Sequence, residues 1–215
     1  MTQSVYIVDD DEAIRDSLGY LMASRGTPYS TYPSAESFLE AWDESFAGCI
    51  LLDVRMGEMS GDELFEHLTE RGCRLPVIFL TGHGDVPLAV STLKSGAFDF
   101  IEKPFNDNVL VDRVLEALDF DTAQRQAAAS EDSIKRRLAQ LTPRERQVME
   151  RILAGKLNKV IADELDVCMR TVEQHRAKLL RKMGVRTAVE LARVVMPGKP
   201  ASESVQEASP GSVKK

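Results

Sequence analysis

Several side chains that could do chemistry stand where short apolar runs of the sequence end. The run from Cys49 to Leu52 ends on Asp53, and three further runs end on polar residues in the same way. Short apolar runs bounded by turn residues are typical of buried strands in a parallel sheet. The carboxyl ends of parallel strands share the edge where open α/β sheets bind ligands, so we expect these polar side chains to converge on one pocket. They are Asp9, Asp10, Asp53, Thr81 and Lys103.

The chemistry that such a set could support is phosphoryl transfer to a carboxylate. Carboxylates held close together raise one another's pKa values, and a hard cation removes that cost. Mg²⁺ prefers oxygen ligands and commonly joins one or two carboxylates to a phosphate, whereas a set without His or Cys disfavours zinc. A lysine and a hydroxyl suit the oxygens of an incoming phosphoryl group. No Gly-rich loop precedes a helix here, so we expect that the chain does not bind ATP itself.

The elements that must position these residues alternate between strand and helix over residues 1–120. Apolar runs predict strands at 5–8, 29–32, 49–52, 77–80 and 98–101. Helical spacing of apolar residues predicts helices at 11–24, from 34 onward, between 61 and 72, at 86–93 and around 109–118. We therefore predict an α/β fold, a five-stranded doubly wound parallel sheet, followed by a small all-α helix-turn-helix domain.

The second domain begins with several agreeing helix signals. Thr142 suits the N-cap, Pro143 the first helical position and Glu145 the capping box. Four short helices follow up to residue 195, and the tight turn between the middle pair predicts a helix-turn-helix unit. The predicted limits are 1–120 for the first domain, 121–138 for a helical linker, 139–196 for the second domain and 197–215 for a disordered tail.

Charge divides the chain in the same way. Residues 1–130 hold nine Lys/Arg and twenty-three Asp/Glu, whereas residues 131–215 hold eighteen and eleven. An acidic first part suits a cation site, and a basic second part suits a polyanion such as DNA. We see no membrane-spanning stretch and no signal peptide, so we expect a cytoplasmic protein. Cys49, Cys73 and Cys168 lack metal-ligand spacing and are expected to be small buried residues in a reducing compartment.

Residues 3–120 resemble the receiver domain of two-component response regulators. The resemblance is carried by Val8-Asp9-Asp10, Asp53, Thr81 and Lys103-Pro104. It implies that the sheet has the flavodoxin- and CheY-like fold and that Asp53 is the phosphoacceptor. It also implies a Mg²⁺ site formed by Asp10, Asp53 and the backbone carbonyl of Arg55, with Asp9 acting through water.

The resemblance extends to the residues that respond to phosphorylation. Thr81 and Lys103 are implied to contact the phosphoryl oxygens, and Phe100 stands at the position of the family's switch aromatic. The Lys103-Pro104 bond is expected to be cis. One position departs from the family, because Gly57 stands where a proline is usual, four residues after the phosphoacceptor.

Residues 141–195 look like the LuxR-type DNA-binding domain. The matching segments are Leu141–Glu145, Asn158-Lys159, Ile161-Ala162 and Thr171–His175. In a helix-turn-helix the second helix enters the major groove, where its polar side chains can reach base edges and phosphates. Cys168 stands where a serine or threonine often caps this helix. The candidate DNA-contacting residues are Lys159, Arg170, Thr171, Glu173, Gln174, His175, Arg176, Ala177, Lys178 and Arg181.

The pairing of the two domains, with the segment from Thr81 to Pro87, resembles the FixJ subfamily of response regulators. This resemblance implies a transcription regulator that a sensor histidine kinase phosphorylates, and that then forms a homodimer, binds promoter DNA and acts on RNA polymerase, mostly as an activator. We expect a regulator and not an enzyme. Two alternatives remain: a phosphorylation-independent DNA binder, which Gly57 would suit, and a carboxylate-nucleophile phosphatase, which would leave residues 141–195 unexplained.

Overall fold

The computed structural model describes residues 3–82 and 92–196 and divides the chain into two compact units, 1–127 and 128–215. In unit 1, all four strand pairs are parallel and the sheet has the order β2-β1-β3-β4-β5. The predicted five-stranded parallel sheet is therefore confirmed. The strands are β1 (Ser4–Val8), β2 (Tyr29–Tyr32), β3 (Gly48–Asp53), β4 (Val77–Thr81) and β5 (Asp99–Glu102).

Helices lie between and after these strands. Residues 92–94 are helical, whereas the rest of the helix predicted at 86–93 and the predicted tail at 197–215 lie outside the described residues. The helices in unit 1 are α1 (Glu12–Ser24), α2 (Ala35–Ala41) and α3 (Gly61–Glu70), and a long helix α4 (Asp107–Ala139) begins there. The remaining helices are α5 (Pro143–Leu153), α6 (Asn158–Glu164), α7 (Met169–Met183) and α8 (Ala188–Val195).

The core of unit 1 lies on both faces of the sheet, which explains why β3 is apolar throughout. Ile50 and Leu52 face a cluster that includes side chains from α2 and α3, such as Phe38. Cys49 and Leu51 face the opposite cluster, which includes side chains from α1 and α4. A strand covered on both faces has no polar side, so the first residue of β3 that can leave the core is the terminal carboxylate.

Short polar residues start several helices. Asp11 accepts a hydrogen bond from the Ala13 backbone N–H at 2.8 Å and caps α1. Ser34 caps α2 in a capping box with Ser37. Such caps satisfy backbone donors that a helix start leaves without partners.

The linker is not a separate helix. The structure joins the helix predicted around 109–118 and the predicted linker into the single helix α4, which runs to Ala139. The linker is rich in Ala and Gln between residues 124 and 130 and contains no Gly or Pro, so nothing in it ends a helix.

Unit 2 contains a small helical core and the predicted helix-turn-helix. Val148, Ile161, Val172 and Leu179 are among its fully buried side chains. The turn between α6 and α7 contains Asp166, whose φ of 51° is left-handed and is tolerated by Asp better than by most residues. In the described part of the chain, every helix is too short or too polar to cross a membrane.

Candidate phosphoacceptor site and nucleic-acid interface

Lys103 joins two of the predicted carboxylates at the carboxyl edge of the sheet. Its Nζ lies 2.8 Å from Asp9 Oδ2 and 2.6 Å from Asp53 Oδ1. Both acids are buried, with 1% of Asp9 and 8% of Asp53 exposed. Buried charges are normally paired, and one ammonium group here serves two carboxylates, which leaves the cluster with a net negative charge.

Strand register explains why residues so far apart in sequence meet here. Val8 pairs with Leu52, and Asp9 and Asp53 come directly after these two residues. The backbone N–H groups of Asp11 and Arg55 donate to Asp9 Oδ1 and Asp53 Oδ2, both at 2.9 Å. Each carboxylate is therefore held by one backbone donor and by Lys103.

Burial and pairing set the pKa values in this cluster. Burial, together with the nearby charge of Asp9, raises the pKa of Asp53, although hydrogen bonds from Lys103 act against it. Burial alone would lower the pKa of Lys103, but the hydrogen bonds to Asp53 and Asp9 outweigh it and raise that pKa. Burial is thus the main cause of the raised pKa of Asp53, and the two carboxylate partners are the cause at Lys103. A cation would stabilise the excess negative charge of the cluster.

Thr81 and Phe100 lie on the two strands next to this cluster. Thr81 ends β4, is 4% exposed and pairs in register with Glu102, and its carbonyl accepts a hydrogen bond from the Lys103 N–H at 2.7 Å. Phe100 is partly buried and packs against the hydrophobic core cluster that contains Phe79. The Lys103-Pro104 bond is cis, as predicted.

Asp10 and Arg55 are placed differently from the buried pair. Asp10 is exposed in the loop after β1, and Arg55 is exposed just after β3. Among the described residues, no three His, Cys, Asp or Glu side chains form a metal-binding cluster by themselves. The donor types nevertheless fit Mg²⁺, because carboxylate and carbonyl oxygens are available beside an excess negative charge and Mg²⁺ keeps several waters.

The predicted DNA-contacting residues occupy the exposed side of α7 and its surroundings. Val172, Leu179 and Met183 of α7 are buried, so the opposite side of this helix faces solvent. Thr171, His175 and Arg176 are partly buried. The exposed members of the set are Lys159 on α6 and Arg170, Glu173, Gln174, Ala177, Lys178 and Arg181 on α7.

The exposure of Cys168 contradicts the prediction that this residue is buried. It was expected to be buried, but it is exposed at the N-cap of α7, because the tight turn carries it away from the core. Among the described residues its thiol makes no capping hydrogen bond to the backbone; it lies 3.1 Å from the Thr171 hydroxyl. This hydroxyl contact is the largest cause of a lowered pKa at Cys168.

Sequence analysis did not predict the burial and pairing of two acids outside the proposed site. Asp121, 1% exposed, accepts hydrogen bonds from Arg125 Nε at 2.8 Å and from the Gly48 N–H at 2.9 Å. Glu145 was assigned a capping role, which the structure shows, but it also accepts from Lys182 Nζ at 2.6 Å. Asp121 and Arg125 are four residues apart on one helix face, and this spacing could have predicted their ion pair. Lys182 lies too far from Glu145 in the sequence for a local pattern to predict their contact.

The fold and the Lys103 cluster define the receiver class, and comparison with known proteins agrees. Residues 5–115 match the family described as response regulator receiver domain, and residues 139–195 match bacterial regulatory proteins of the luxR family. The chain therefore belongs to the response regulators that join a receiver domain to a LuxR-type DNA-binding domain, and it is a transcription regulator.

Its relatives are similar over nearly their whole length. The C4-dicarboxylate transport transcriptional regulatory protein DctR of Rhodobacter capsulatus is 49% identical over 196 residues, which cover 90% of this chain and 100% of the relative. The transcriptional regulatory protein FixJ of Bradyrhizobium diazoefficiens is 42% identical over 193 residues, 89% of this chain and 94% of the relative. The solved structure of the response regulator StyR gives a TM-score of 0.85 at 37% identity and covers 91% of this chain and 98% of its own.

Proposed function

We propose that this regulator is controlled by phosphorylation of Asp53 by a sensor histidine kinase. The observation that carries the proposal is the position of Lys103, whose Nζ contacts Asp53 and Asp9 at the edge of the sheet. A lysine beside a carboxylate at this edge can bind the oxygens of a phosphoryl group while the carboxylate attacks phosphorus.

The transfer needs no change of oxidation state. An oxygen of Asp53 attacks the phosphorus of the kinase phosphohistidine, the P–N bond breaks, and the imidazole leaves as an acyl phosphate forms. Lys103 keeps its charge and remains at the negative cluster, and the hydroxyl of Thr81 is the proposed second contact to the phosphoryl oxygens. Fixed donors that face developing negative charge need little rearrangement during the reaction.

Mg²⁺ is the cofactor that receiver domains generally use at this position. We propose that Asp10, Asp53 and the carbonyl of Arg55 hold it, with Asp9 acting through water. When bound, it neutralises the negative charge of the carboxylates and the phosphoryl group. The exposure of Asp10 and Arg55 leaves this side of the site accessible to an ion and to a kinase.

Phosphorylation would act by shifting an equilibrium between two receiver states. We propose that Thr81 and Phe100 change conformation when Asp53 is phosphorylated and so alter the face formed by the fifth strand and the helix predicted at 86–93. Two phosphorylated chains would form a homodimer through this face. Dimerisation would present two copies of α7 to two half-sites of promoter DNA, as paired helix-turn-helix domains do. The dimer would then contact RNA polymerase and activate transcription in the cytoplasm.

The DNA contacts are proposed for residues of α7 and for Lys159 on α6. Gln174 can pair with adenine and Glu173 can accept from cytosine, whereas Lys178 and Arg181 suit phosphates. The same role in phosphate binding is proposed for Lys159, Arg170, Thr171, His175 and Arg176, with Ala177 close to the bases. We keep 1–120, 121–138, 139–196 and 197–215 as the proposed limits of receiver, linker, DNA-binding domain and tail.

A second candidate function is DNA binding that does not respond to phosphorylation. Gly57 supports it, because this position is exposed and a Cβ built there meets no atom within 4 Å, so the loop after Asp53 is open. Equal affinity for DNA with and without beryllofluoride, an analogue of the phosphoryl group, would favour this candidate.

Uptake of labelled phosphoryl groups from acetyl phosphate tests the assignment of Asp53. The chain should take up one label per molecule in the presence of Mg²⁺, and Asp53→Asn should take up none. Asp16→Asn, which removes an exposed carboxylate on α1, is the matched control and should be labelled like the unaltered chain. Full labelling of Asp53→Asn would contradict the assignment.

A further inference from the structure

The recognition helix α7 ends against the last turn of the linker helix α4. Arg137, on α4, donates from Nη1 to the backbone carbonyl of Met183 at 2.8 Å, at the C-terminus of α7. In return, Lys182 of α7 donates from Nζ to the carbonyl of Gln140, just beyond α4, at 3.0 Å. These two reciprocal hydrogen bonds, which we call the Arg137–Lys182 clamp, both lie within unit 2.

Helix-terminal chemistry explains why an arginine suits this position. The last carbonyls of a helix lack partners within the helix and carry partial negative charge, which a cation stabilises. The Gly184 N–H donates to the carbonyl of Arg181, and the Val185 N–H donates to the carbonyl of Leu180. Arg137 donates from outside the helix to the carbonyl of Met183, the last residue of α7.

Gly184 makes room for this guanidinium. Its φ of 67° is left-handed, and a Cβ built there would lie 2.8 Å from Arg137 Nη1. A larger residue that accepts this φ would therefore displace the tip of Arg137, which is flexible, without moving the backbone. The glycine serves both as the end of α7 and as the gap through which Arg137 reaches it.

Lys182 strengthens the other half of the clamp. Besides the carbonyl of Gln140, it contacts Glu145 Oε2 at 2.6 Å, and Glu145 also accepts from the Thr142 N–H at 2.9 Å. The end of α7 is thus tied to the end of α4 and to the start of α5. Hydrogen bonds to charged groups are shorter and stronger than those between neutral groups.

We propose that Arg137 is a positioning residue for DNA recognition, which holds the recognition helix at the angle that its base contacts require. This inference rests on the proposed role of α7 in DNA binding. Base contacts depend on geometry at the level of single hydrogen bonds, whereas attraction to phosphates depends mainly on charge. Loss of Arg137 should therefore weaken binding to the specific site and leave non-specific binding almost unchanged.

The test compares two substitutions that remove the same charge from neighbouring positions. Arg137→Gln removes the Arg137–Met183 half of the clamp, whereas Arg136→Gln removes an exposed guanidinium whose Nε donates to the carbonyl of Asp132 in its own helix. The probe is a duplex selected from a random pool by the full-length protein with beryllofluoride, and an unrelated duplex of equal length reports non-specific binding. Arg and Gln have similar helix propensities, so α4 should persist in both variants.

We expect Arg137→Gln to lower affinity for the selected duplex about ten-fold, the effect of losing one hydrogen bond to a charged group. Affinity for the unrelated duplex should change no more than with Arg136→Gln. Equal effects of the two substitutions would overturn the proposal. So would a parallel loss for both duplexes, which marks either a phosphate contact, if the salt dependence also falls by about one ion, or general destabilisation, if the melting temperature falls instead.

A second variant reaches the same contact from the other side. Gly184→Asn keeps a residue that tolerates the left-handed φ but displaces the guanidinium of Arg137. It should lower the ratio of specific to non-specific affinity in the unaltered chain and add little in Arg137→Gln. Fully additive effects would show that the two residues act separately and would overturn the proposal.

A separate pair of variants tests the proposed function on which this inference rests. Gln174→Ala and Lys178→Ala alter the exposed face of α7 directly, and both should weaken binding to the selected duplex. If neither does, the DNA-contacting role of α7 fails. If both do while Arg137→Gln behaves like Arg136→Gln, the positioning role alone is overturned.

Discussion

The two units of this chain use charged residues in opposite ways. In unit 1, Lys103 of the proposed phosphoacceptor site lies between the buried carboxylates of Asp9 and Asp53. In unit 2 the predicted DNA-contacting charges are spread over an exposed helix face. In a buried cluster the charges compensate one another, so removal of one member leaves its partners unpaired and poorly solvated. Exposed charges are solvated by water, so each contributes nearly independently. Substitution of these charged residues should therefore lower the free energy of unfolding much more in unit 1 than in unit 2.

Lys103→Met should produce the largest effect. It leaves Asp9 and Asp53 buried beside each other without a cation, which should lower the free energy of unfolding of the receiver by about 4 kcal/mol at neutral pH. Trp42, the only tryptophan in the sequence, packs against the receiver core, so its fluorescence during urea unfolding reports this unit. Lys94→Met, at an exposed site, is the control, and an equal effect of both would break the comparison.

Asp121→Asn should have the next largest effect, because this buried carboxylate holds α4 to the sheet. The variant weakens the hydrogen bonds to Arg125 and to the Gly48 N–H and should cost about 2 kcal/mol by the same fluorescence measurement. Asp119→Asn removes a neighbouring exposed carboxylate and should change little. A neutral result for Asp121→Asn would show that burial of charge in unit 1 does not by itself predict large effects.

Glu145 extends the comparison to a buried charge in unit 2. Burial alone would raise the pKa of Glu145, but hydrogen bonds from Lys182 and Thr142 outweigh it and hold that pKa below its usual range. Its stabilising contribution is therefore complete above the usual glutamate pKa and is lost as the pH falls through the lower folded value. Glu145→Gln should cost about 1.5 kcal/mol at neutral pH, and the difference should vanish in acid.

Thermal unfolding followed by circular dichroism between neutral and acidic pH measures this difference. Glu150→Gln, at an exposed site on the same helix, should show no such pH dependence. A difference that persists unchanged in acid would mean that Glu145 acts through packing and not through its charge.

Cys168→Ser should have the smallest effect, and it should stabilise. A serine at the N-cap of α7 can accept a backbone hydrogen bond from the first turn, as Thr187 does at the start of α8. The melting temperature of unit 2 should rise by roughly 3 °C. Cys168→Ala is the control, and an equal rise with alanine would mean that removal of the thiol is responsible and not capping.

Sequence alone located the elements and the rim of the sheet because their signals are local. The run from Cys49 to Leu52 is buried on both faces, so its length and its terminal Asp53 were both readable. Because the same pattern recurs at Asp9, Thr81 and Lys103, these residues were predicted to lie at one edge of the sheet. The parallel register brings the ends of their strands together.

The contacts that sequence did not reveal join residues far apart in the chain. Arg137 meets Met183, and Asp121 meets Gly48, only because tertiary packing brings them together. In the sequence, Arg137 looks like an ordinary polar residue on a helix, and the spacing of Asp121 from Arg125 indicates a pair within the helix but not the contact with Gly48. The burial of Cys168 was predicted wrongly for a related reason, since neighbouring apolar residues do not show that a turn carries the thiol outward.

The most direct measurement is the affinity of the full chain for its selected duplex with and without beryllofluoride in the presence of Mg²⁺. Control by Asp53 predicts binding at least about ten-fold tighter with the analogue, and Asp53→Asn should bind equally weakly in both conditions. Equal affinity of the unaltered chain in both conditions would contradict the link between the Lys103 cluster and DNA binding.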